Sequence, residues 1–587
     1  MTGRPTKRPV RPAAGQRAVP VPGKTMIRLE GTAARTMRLG HGRLLAVALM
    51  FGIGFCVLAG RLVELTVVRG GDGAVANLVP GTIAARPERA DIVDRHGLLL
   101  ATNLSTASLY ADAREVLDAN RAARRLAKVL PELSLAATAE KLRSDKAFVW
   151  LKRNLTPALQ DRIHRLGIPG LYFREEQRRL YPHGALAAHV LGFTDVDGNG
   201  IAGVEKFFDE ELLRRGHAGA PLQLSLDIRV QHALRDELGA AMAKFSAVGA
   251  AGLVMNANTG EVLGLASLPD FDPNHPGASP VTSRFNRTSL GVYELGSVFK
   301  VFTLAMALDS GTTNLSGSYD ASKPIRVSRF TIRDDHPKKR RLSVPEILIY
   351  SSNIGAAKMA LDVGGKTQRA YLGRFGMLRR PALELPEVGA PLSPSPWRDI
   401  NTMTVAFGHG LAVSPVQLTS GFAAAVNGGL LLPATLIRHQ PGQRGLGVRV
   451  IGERTSGQLR RLLRAVVEKG TGGKAEAPGY LVGGKTGTAE KAGVRGYRRR
   501  ALISSFVAAF PINAPAYVVY VMIDEPKGIK ETYGFAAAGW NAAPAAGQVI
   551  QRIAPILGVR PVHLGGPAKR QAMAVPGQGG ERKVAAN

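Results

Sequence analysis

The sequence contains one cysteine, Cys56, and this excludes an intrachain disulfide. Acidic residues are also few, because 45 Asp and Glu stand against 77 Lys and Arg, which gives a formal net charge of +32. A charge of this size indicates an anionic partner such as nucleic acid, a membrane surface or an acidic polymer, depending on where the charge lies. With 587 residues, 45% of them apolar, the chain can bury a large core in about two to four domains.

The first 43 residues are rich in Arg, Pro and Gly and have only Glu30 as an acidic residue. This composition predicts a solvated tail over 1–43 that contributes nothing to a core. The tail accounts for only part of the positive charge, so the remainder belongs to the folded part of the chain.

No charged residue occurs in LLAVALMFGIGFCVLAG, which starts at Leu44. The run continues to Val63 if Arg61 reaches toward lipid headgroups, so it predicts one membrane-spanning helix over 44–63. A buried core helix and a cleaved signal peptide are the alternatives, but no small-x-small cleavage site follows the run. Because the basic residues precede it, we expect the tail to be cytoplasmic and everything after the helix to lie outside.

The rest of the sequence has no evident repeat and changes in character near Pro221. Residues 64–220 show short strand and helix patterns, which predict a first domain outside the membrane. From Pro221, PLQLSLDIRVQHALRDELGAAMAKF predicts a strand and an amphipathic helix, and AAGLVMNANTGEVLGLAS predicts two strands joined by a polar turn. These patterns open a larger domain over 221–559, and the Gly-, Pro- and Lys-rich residues 560–587 predict a disordered tail.

A serine and a lysine stand three residues apart in YELGSVFKVFTLAMAL, which starts at Tyr293. If a helix begins at Gly296 or Ser297, then Ser297 and Lys300 share one face. The apolar residues that follow predict a helix buried on all sides, and burial would lower the pKa of Lys300 so that it could act as a base on Ser297. Taken alone, the pattern more often represents a helix-capping serine followed by a lysine that extends to solvent.

Two further motifs follow. YSSNIGAAKMAL places Ser351 and Asn353 at the start of a predicted helix, where capping is the simpler interpretation. GGKTGTAEK alternates as a strand does, and a glycine in such a strand lets a ligand approach closely. The alternation separates two sets of side chains: Lys485, Gly487 and Ala489 against Thr486 and Thr488. In this order, S-x-x-K, S-x-N and K-T-G form the motif set of penicillin-recognising serine enzymes.

The segment GYLVGGKT, from Gly479, also fits the letters of a phosphate-binding loop, G-x-x-x-x-G-K-[ST]. Such a loop needs a strand before it and a helix after it, whereas AEAP precedes this segment and Gly487 follows it. The predicted topology also places the segment outside the cytoplasm. A nucleotide-dependent enzyme is therefore disfavoured.

With these motifs, the chain resembles the class B penicillin-binding proteins, and within them the division-type peptidoglycan D,D-transpeptidases. The likeness covers nearly everything from the predicted anchor to about Val559. Blocks that carry it include RADIVDRHGLLLATN, RRLYPHGALAAHVLGF, GIAGVEKFFDEEL, FGHGLAVSPVQL and SSFVAAFP. Leu295 departs from the family, in which many members have proline before the Gly-Ser pair.

The resemblance implies that Ser297 attacks the penultimate D-Ala carbonyl of a stem pentapeptide and passes the acyl group to an amine of a neighbouring strand. Lys300 would be the base, and Ser351 would relay a proton to the leaving amine. Asn353 would hold the substrate amide and Lys300, and Lys485 would activate Ser297 and Lys300 electrostatically. Thr486, Gly487 and Thr488 would bind the substrate with its terminal carboxylate. The N–H groups of Ser297 and Thr488 would bind the oxyanion. No cofactor or metal is implied, and no E-x-x-L-N segment supplies a base for deacylation.

The implied fold is α+β, with a single N-terminal transmembrane helix, an elongated pedestal or dimerisation-type domain over 64–220 and a transpeptidase domain over 221–559. Helices would flank an antiparallel sheet in the transpeptidase domain, as in serine β-lactamases. The implied location is the bacterial inner membrane at the division septum, with the catalytic domain periplasmic. The implied partners are the stem pentapeptide, β-lactams, a lipid-II polymerase of the SEDS type and other division proteins, and not nucleic acid.

Three other functions fit part of the sequence. An elongation-type transpeptidase would share every catalytic residue, and a non-catalytic β-lactam sensor would bind penicillin but ignore the pentapeptide. A nucleic-acid-binding protein is favoured by the net charge alone, and the predicted topology puts most of the chain outside the cytoplasm. The segment IRDDHPKKRRLSVPE is basic and is predicted to be an exposed loop.

Overall fold

The computed structural model describes residues 49–60, 89–327, 330–440, 445–493 and 496–562. The chain divides into two units, Met1–Arg86 and Pro87–Asn587. In the first unit, residues 49–60 form helix α1, whose large apolar side chains are exposed. No helix in the described ranges is both long enough and apolar enough to cross a membrane. The predicted tail over 1–43, the rest of the predicted anchor, and residues 563–587 lie outside the described residues.

The second unit contains both helices and strands. The strands are β1 (Ile92–Val93), β2 (Leu99–Ala111), β3 (Val149–Leu155), β4 (Leu171–Leu180), β5 (Phe193–Thr194), β6 (Gly200–Ala202), β7 (Leu222–Gln223), β8 (Gly249–Asn256), β9 (Val262–Leu268), β10 (Ser318–Asp320), β11 (Ile325–Val327), β12 (Phe330–Ile332), β13 (Arg341–Ser343), β14 (Leu430–Leu431), β15 (Val448–Arg449), β16 (Gly483–Gly493), β17 (Gly496–Phe510) and β18 (Tyr517–Asp524). The α-helices are α2 (Ala119–Val129), α3 (Leu135–Leu142), α4 (Pro157–His164), α5 (Ala188–Leu191), α6 (Gly203–Phe207), α7 (Asp209–His217), α8 (Ile228–Lys244), α9 (Lys300–Asp309), α10 (Val344–Ile349), α11 (Asn353–Val363), α12 (Gly365–Arg374), α13 (Asp399–Val405), α14 (Pro415–Val426), α15 (Glu453–Lys469) and α16 (Ala542–Ile556).

Strand β2 is the centre of the first sheet, where it pairs antiparallel with β1, β3 and β4. Its side chains Leu109 and Ala111 are buried in one cluster with Leu126 of α2. Strand β1 also pairs in parallel with β7, which leads toward the second sheet. The second unit thus has a first part, built around β2, and a catalytic part, built around the second sheet. The two parts share a core, because Ile92 of β1 and Leu253 of β8 belong to the same buried cluster.

A buried ion-pair network joins the segment before β1 to β4, α6 and α7. Glu205 in α6 is fully buried between two guanidinium groups. Its Oε1 accepts a hydrogen bond from Arg179 Nε at 2.7 Å, and its Oε2 accepts one from Arg89 Nε at 2.5 Å. Arg89 also donates to Asp209 Oδ1 at 2.7 Å. Buried charges are tolerated when they are paired in this way.

The second sheet has the strand order β16-β17-β18-β8-β9 and is antiparallel throughout. Alternate side chains of β18 point to opposite faces, as expected for a strand. Val519 and Val521 are buried with α8 and α16, whereas Tyr520 and Met522 are buried with α9, α14 and α15. Helices therefore cover both faces, and the prediction of an α+β fold with an antiparallel sheet flanked by helices is confirmed.

The two patterns predicted after Pro221 are also present. Strand β7 precedes α8, and the Asp227 side chain caps that helix by accepting from Arg229 N. Strands β8 and β9 are joined by a polar turn, in which Asn256 Oδ1 accepts from Asn258 N at 2.9 Å. Strand β16 lies at an edge of the sheet, and within the described ranges β17 is its one partner strand.

Candidate active site

Ser297 lies in a 3-10 turn, Gly296–Phe299, that continues directly into α9. Leu295 occupies the N-cap position, and no side chain caps the turn. Ser297 is therefore not the capping residue that the simpler interpretation required. All residues from Lys300 to Ala307 are buried, as predicted for a helix enclosed on every side.

The turn that carries Ser297 packs closely against β16. Gly296 has a φ of +59°, and a Cβ added there would lie 2.5 Å from the Thr488 carbonyl oxygen. A Cβ added to Gly487 would lie 2.3 Å from the Leu295 carbonyl oxygen. Only glycine fits at these two positions. The absence of a side chain at Gly487 thus lets the turn approach the strand, which fixes Ser297 beside it.

The Lys300 side chain is fully buried, so it does not extend to solvent. Its Nζ lies 2.8 Å from Ser297 Oγ. It also donates to the Ser351 carbonyl oxygen at 2.5 Å and to Asn353 Oδ1 at 2.7 Å, and it lies 3.1 Å from Ser351 Oγ. These contacts bring the first two sequence motifs together around one amine.

Neighbouring serines of the second motif make different contacts. Ser352 caps α11, because its Oγ accepts from Gly355 N at 3.0 Å. Ser351 does not cap the helix and has a φ of +60°, which is uncommon for a residue with a side chain. Its Oγ lies 3.0 Å from Lys485 Nζ and 3.1 Å from Lys300 Nζ. The Ser351 hydroxyl therefore bridges the two lysines.

The third motif lies on β16, as predicted. Lys485 is fully buried, and its Nζ donates to the Thr486 carbonyl oxygen at 3.0 Å. The Thr486 Oγ1 lies 2.7 Å from Thr471 Oγ1. Thr488 Oγ1 accepts from Ala538 N at 3.1 Å. Both threonine hydroxyls thus have protein partners that position them.

Burial is the main cause of the electrostatic character of this site. It lowers the pKa of Lys300 to about 7, against a smaller opposing effect of Asp335 and Asp334. Burial also lowers the pKa of Lys485 well below its usual range, and repulsion from Lys300 lowers it further. Both amines contact the same hydroxyl, that of Ser351.

Asp334 belongs to the site, although the sequence pattern did not single it out. Its carboxylate accepts from Ser352 Oγ at 2.8 Å and from Ile354 N at 2.9 Å, so it holds the start of α11. The neighbouring Arg333 carbonyl oxygen accepts from Asn353 Nδ2 at 2.8 Å. The acidic pair in IRDDHPKK was the available signal, but the basic residues after it favoured an exposed loop.

The arrangement supplies a hydroxyl, an amine of lowered pKa at hydrogen-bonding distance from it, and a second hydroxyl between two amines. This set is suited to acyl transfer by a serine nucleophile with a lysine base. The predicted residues of the three motifs are thus brought together. Across the described ranges, His, Cys, Asp and Glu side chains form no group of three that could hold a metal ion.

Two family profiles match this chain. Residues 250–550 match the penicillin binding protein transpeptidase domain, and residues 84–221 match the penicillin-binding protein dimerisation domain. The chain is similar to the "probable peptidoglycan D,D-transpeptidase FtsI" of Caulobacter vibrioides, with 44% identity over 483 residues, 80% of this chain and 82% of the relative. It is 30% identical over 523 residues to the peptidoglycan D,D-transpeptidase FtsI of Escherichia coli, which covers 84% of this chain and 87% of the relative.

The fold is also similar to a solved structure. The crystal structure of a peptidoglycan synthetase from Bifidobacterium adolescentis superimposes with a TM-score of 0.64. The match covers 82% of this chain and 98% of the other, with 23% sequence identity. At that identity the likeness concerns the fold alone.

Proposed function

The chain belongs to the class B penicillin-binding proteins, the peptidoglycan D,D-transpeptidases of the FtsI type, and we propose that it cross-links stem peptides through an acyl-enzyme at Ser297. Ser297 Oγ attacks the carbonyl carbon of the penultimate D-Ala while Lys300 Nζ takes the hydroxyl proton. The bond to the terminal D-Ala breaks, and Ser351 relays a proton from Lys300 to the leaving amine. An amine of a neighbouring strand then attacks the ester, which forms the cross-link and releases Ser297.

The observation that carries this proposal is the contact between Lys300 and Ser297. Their Nζ and Oγ atoms are 2.8 Å apart, within the range for direct proton transfer. Burial lowers the pKa of Lys300 to about 7, so a substantial fraction of the amine is uncharged at neutral pH. An uncharged amine can accept the serine proton, whereas an ammonium cannot.

The remaining roles follow the positions of the other motif residues. We propose that Asn353, which already accepts from Lys300, binds the substrate amide. Lys485 activates Ser297 and Lys300 electrostatically. We propose that Thr486 and Thr488 on β16, beside Gly487, bind the terminal carboxylate of the substrate. The N–H groups of Ser297 and Thr488 form the proposed oxyanion hole. Each donor is expected to stabilise the transition state by about 3 kcal/mol.

The test is covalent labelling by a fluorescent penicillin, whose strained lactam carbonyl imitates the acyl-D-Ala-D-Ala bond. The wild-type chain should form a persistent adduct, and mass spectrometry should find it on the peptide that contains Ser297. Ser297→Ala should abolish labelling and leave a folded domain, because Ser297 caps no helix.

Ser310→Ala is the matched control, since Ser310 is an exposed serine just after the same helix. Its labelling should equal that of the wild type. Labelling that persists in a folded Ser297→Ala variant would exclude Ser297 as the nucleophile.

We further propose a cytoplasmic tail over 1–43, an anchor over 44–63, a periplasmic pedestal over 64–220, a transpeptidase domain over 221–559 and a C-terminal tail over 560–587. The uncharged run from Leu44 and the basic residues before it support this topology. A reporter that is active only in the periplasm should work when fused after Val559 and fail when fused before Arg43. The opposite result would reverse the topology.

We propose the inner membrane at the division septum as the location, and a lipid-II polymerase of the SEDS type with other division proteins as partners of the anchor and pedestal. The relatives named FtsI support a division role over an elongation role. Depletion of the protein should therefore give filaments, whereas spherical cells would indicate the elongation role.

A further inference from the structure

Thr471 lies beside the third motif but belongs to none of the three sequence motifs. It follows the end of α15 by two residues and precedes β16 in the chain. Its Oγ1 lies 2.7 Å from Thr486 Oγ1, and either hydroxyl can be the donor. None of the roles proposed so far uses Thr471. Which of the two hydroxyls donates decides what Thr486 can offer to a substrate.

The backbone around Thr471 is held by close contacts. Gly470 N donates to the Val466 carbonyl oxygen at 3.1 Å, so the segment continues directly from α15. A Cβ added to Gly470 would lie 2.6 Å from the carbonyl oxygen of Ile349, at the end of α10. Thr471 itself is half-buried. Its hydroxyl is therefore a fixed neighbour of Thr486 and not a group on a free surface loop.

The Thr486 hydroxyl has a second neighbour in the site. Its Oγ1 accepts from Lys485 Nζ at 3.3 Å. The same Nζ lies 3.0 Å from Ser351 Oγ, which lies 3.1 Å from Lys300 Nζ. A continuous row of hydrogen bonds thus runs from Thr471 to Lys300, and the bonds in such a row polarise one another. Thr471 is the end of this row that lies farthest from the nucleophile.

The number of protons on the two hydroxyls limits how this row can be arranged. A hydroxyl has one proton to donate and two lone pairs that accept. If Thr486 donates to Thr471, Thr486 has no proton left for a substrate. If Thr471 donates to Thr486, then Thr486 accepts from both Thr471 and Lys485 and keeps its own proton. Because a carboxylate only accepts hydrogen bonds, the second arrangement is the one in which Thr486 can bind it.

We propose that Thr471 is a positioning residue for the terminal carboxylate of the substrate, because its hydroxyl donates to Thr486 Oγ1 and so directs the Thr486 proton to the carboxylate. The inference rests on the proposed function, in which Thr486 and Thr488 bind that carboxylate. Thr471 acts through Thr486 and does not touch the substrate. Its loss therefore weakens recognition of the carboxylate and leaves the contact between Ser297 and Lys300 in place.

The test compares acylation of the full-length protein by benzylpenicillin and by its methyl ester. Both compounds carry the same lactam, but only the acid presents a carboxylate. The measured quantity is the ratio of the two second-order rate constants, acid over ester. The wild type should favour the acid, and Thr471→Val should lower the ratio about 5- to 10-fold, as expected for one hydrogen bond at a charged group. The ester should react with Thr471→Val within about twofold of the wild-type rate, because it has no carboxylate to lose.

Three further variants separate the hydroxyl from the shape of the side chain. Thr471→Ser keeps the hydroxyl and should keep the wild-type ratio. Thr471→Ala removes the hydroxyl without adding a methyl group and should lower the ratio as much as Thr471→Val does. Thr106→Val is the matched control, since Thr106 is a half-buried threonine in β2 whose hydroxyl lies 3.3 Å from Asn154 Oδ1. It should keep the wild-type ratio.

A ratio that neither Thr471→Val nor Thr471→Ala lowers would overturn the proposal. Equal losses with the acid and the ester would also overturn it, because Thr471 would then support the strand or the lysines and not the carboxylate. A wild type without preference for the acid would reject the carboxylate site, and with it the role of Thr471.

Labelling by fluorescent penicillin separates these failures from that of the proposed function. A wild type labelled at Ser297 whose ratio does not depend on the Thr471 hydroxyl rejects the role of Thr471 alone. An unlabelled wild type rejects the acyl-enzyme itself.

Discussion

Buried charges occur in both parts of the second unit, but those beside Ser297 have no ion-pair partner among the described residues. In the first part, Glu205 is fully buried and binds Arg89 and Arg179. In the catalytic part, Lys300 and Lys485 are fully buried, and neither makes an ion pair with any described residue. Their partners are hydroxyl, amide and carbonyl oxygens.

The paired charge of Glu205 has a structural role, whereas the unpaired lysines beside Ser297 have a chemical one. A buried carboxylate with two guanidinium partners holds the segments that carry these groups in one geometry. A buried lysine without a carboxylate partner is more easily deprotonated, because burial disfavours its charged form. The catalytic part therefore maintains a free amine at the cost of an unfavourable burial, and the first part does not.

The largest expected effect comes from removing the unpaired amine next to Ser297. Lys300→Ala should slow acylation by a fluorescent penicillin by roughly 10²–10⁴, the usual contribution of a general base. Lys358→Ala is the control, because Lys358 is a half-buried lysine on α11 whose polar partner among the described residues is Asp320. If Lys300→Ala is acylated at a rate within about tenfold of the wild-type rate, Lys300 is not the general base.

The paired charge in the first part should affect stability. Glu205→Gln should lower the free energy of unfolding by about 3–5 kcal/mol, because it leaves the buried guanidinium of Arg179 without a carboxylate and that of Arg89 with Asp209 alone. Urea unfolding followed by circular dichroism gives this value. Glu211→Gln, which removes the more exposed pair with Arg215, should cost about 1 kcal/mol or less. Similar losses in both variants would mean that burial of the pair does not matter.

A smaller effect should distinguish charge from shape at Lys485. Lys485→Ala should slow acylation by about 10², since it removes a preorganised positive group. Lys485→Arg keeps the charge but changes the donor geometry, so we expect a loss of about tenfold. Stopped-flow measurement of penicillin acylation compares the two. If both variants lose the same amount, shape and not charge decides the role of this residue.

Much of the local structure could be predicted because it depends on neighbouring residues. Among the helix patterns predicted over residues 64–220 is the segment that forms α2, with Asp118 as its cap. The spacing of Ser297 and Lys300 and the apolar run after them predicted a buried helix, which is α9. The strand alternation of GGKTGTAEK appears in β16. Period, capping and alternation are short-range signals that a sequence displays directly.

Contacts between distant segments could not be predicted in this way. Glu294 and Tyr497 are 203 residues apart and meet only because the Ser297 turn packs on the second sheet. Asp334 reaches α11 from a segment whose basic composition indicated a solvated loop. The turn that packs against Gly487 could not be predicted either, because the strand pattern gives no information about which segment lies against the strand.

The central claim, that a buried Lys300 is the base for Ser297, is tested most directly by the pH dependence of acylation. The second-order rate constant for penicillin should be measured on the full-length protein across neutral pH. Because burial lowers the pKa of Lys300 to about 7, the amine is protonated and inactive below that pH and free above it. The rate should therefore rise by about tenfold between about pH 6 and about pH 8. A rate that is constant or falls over this interval would contradict the account.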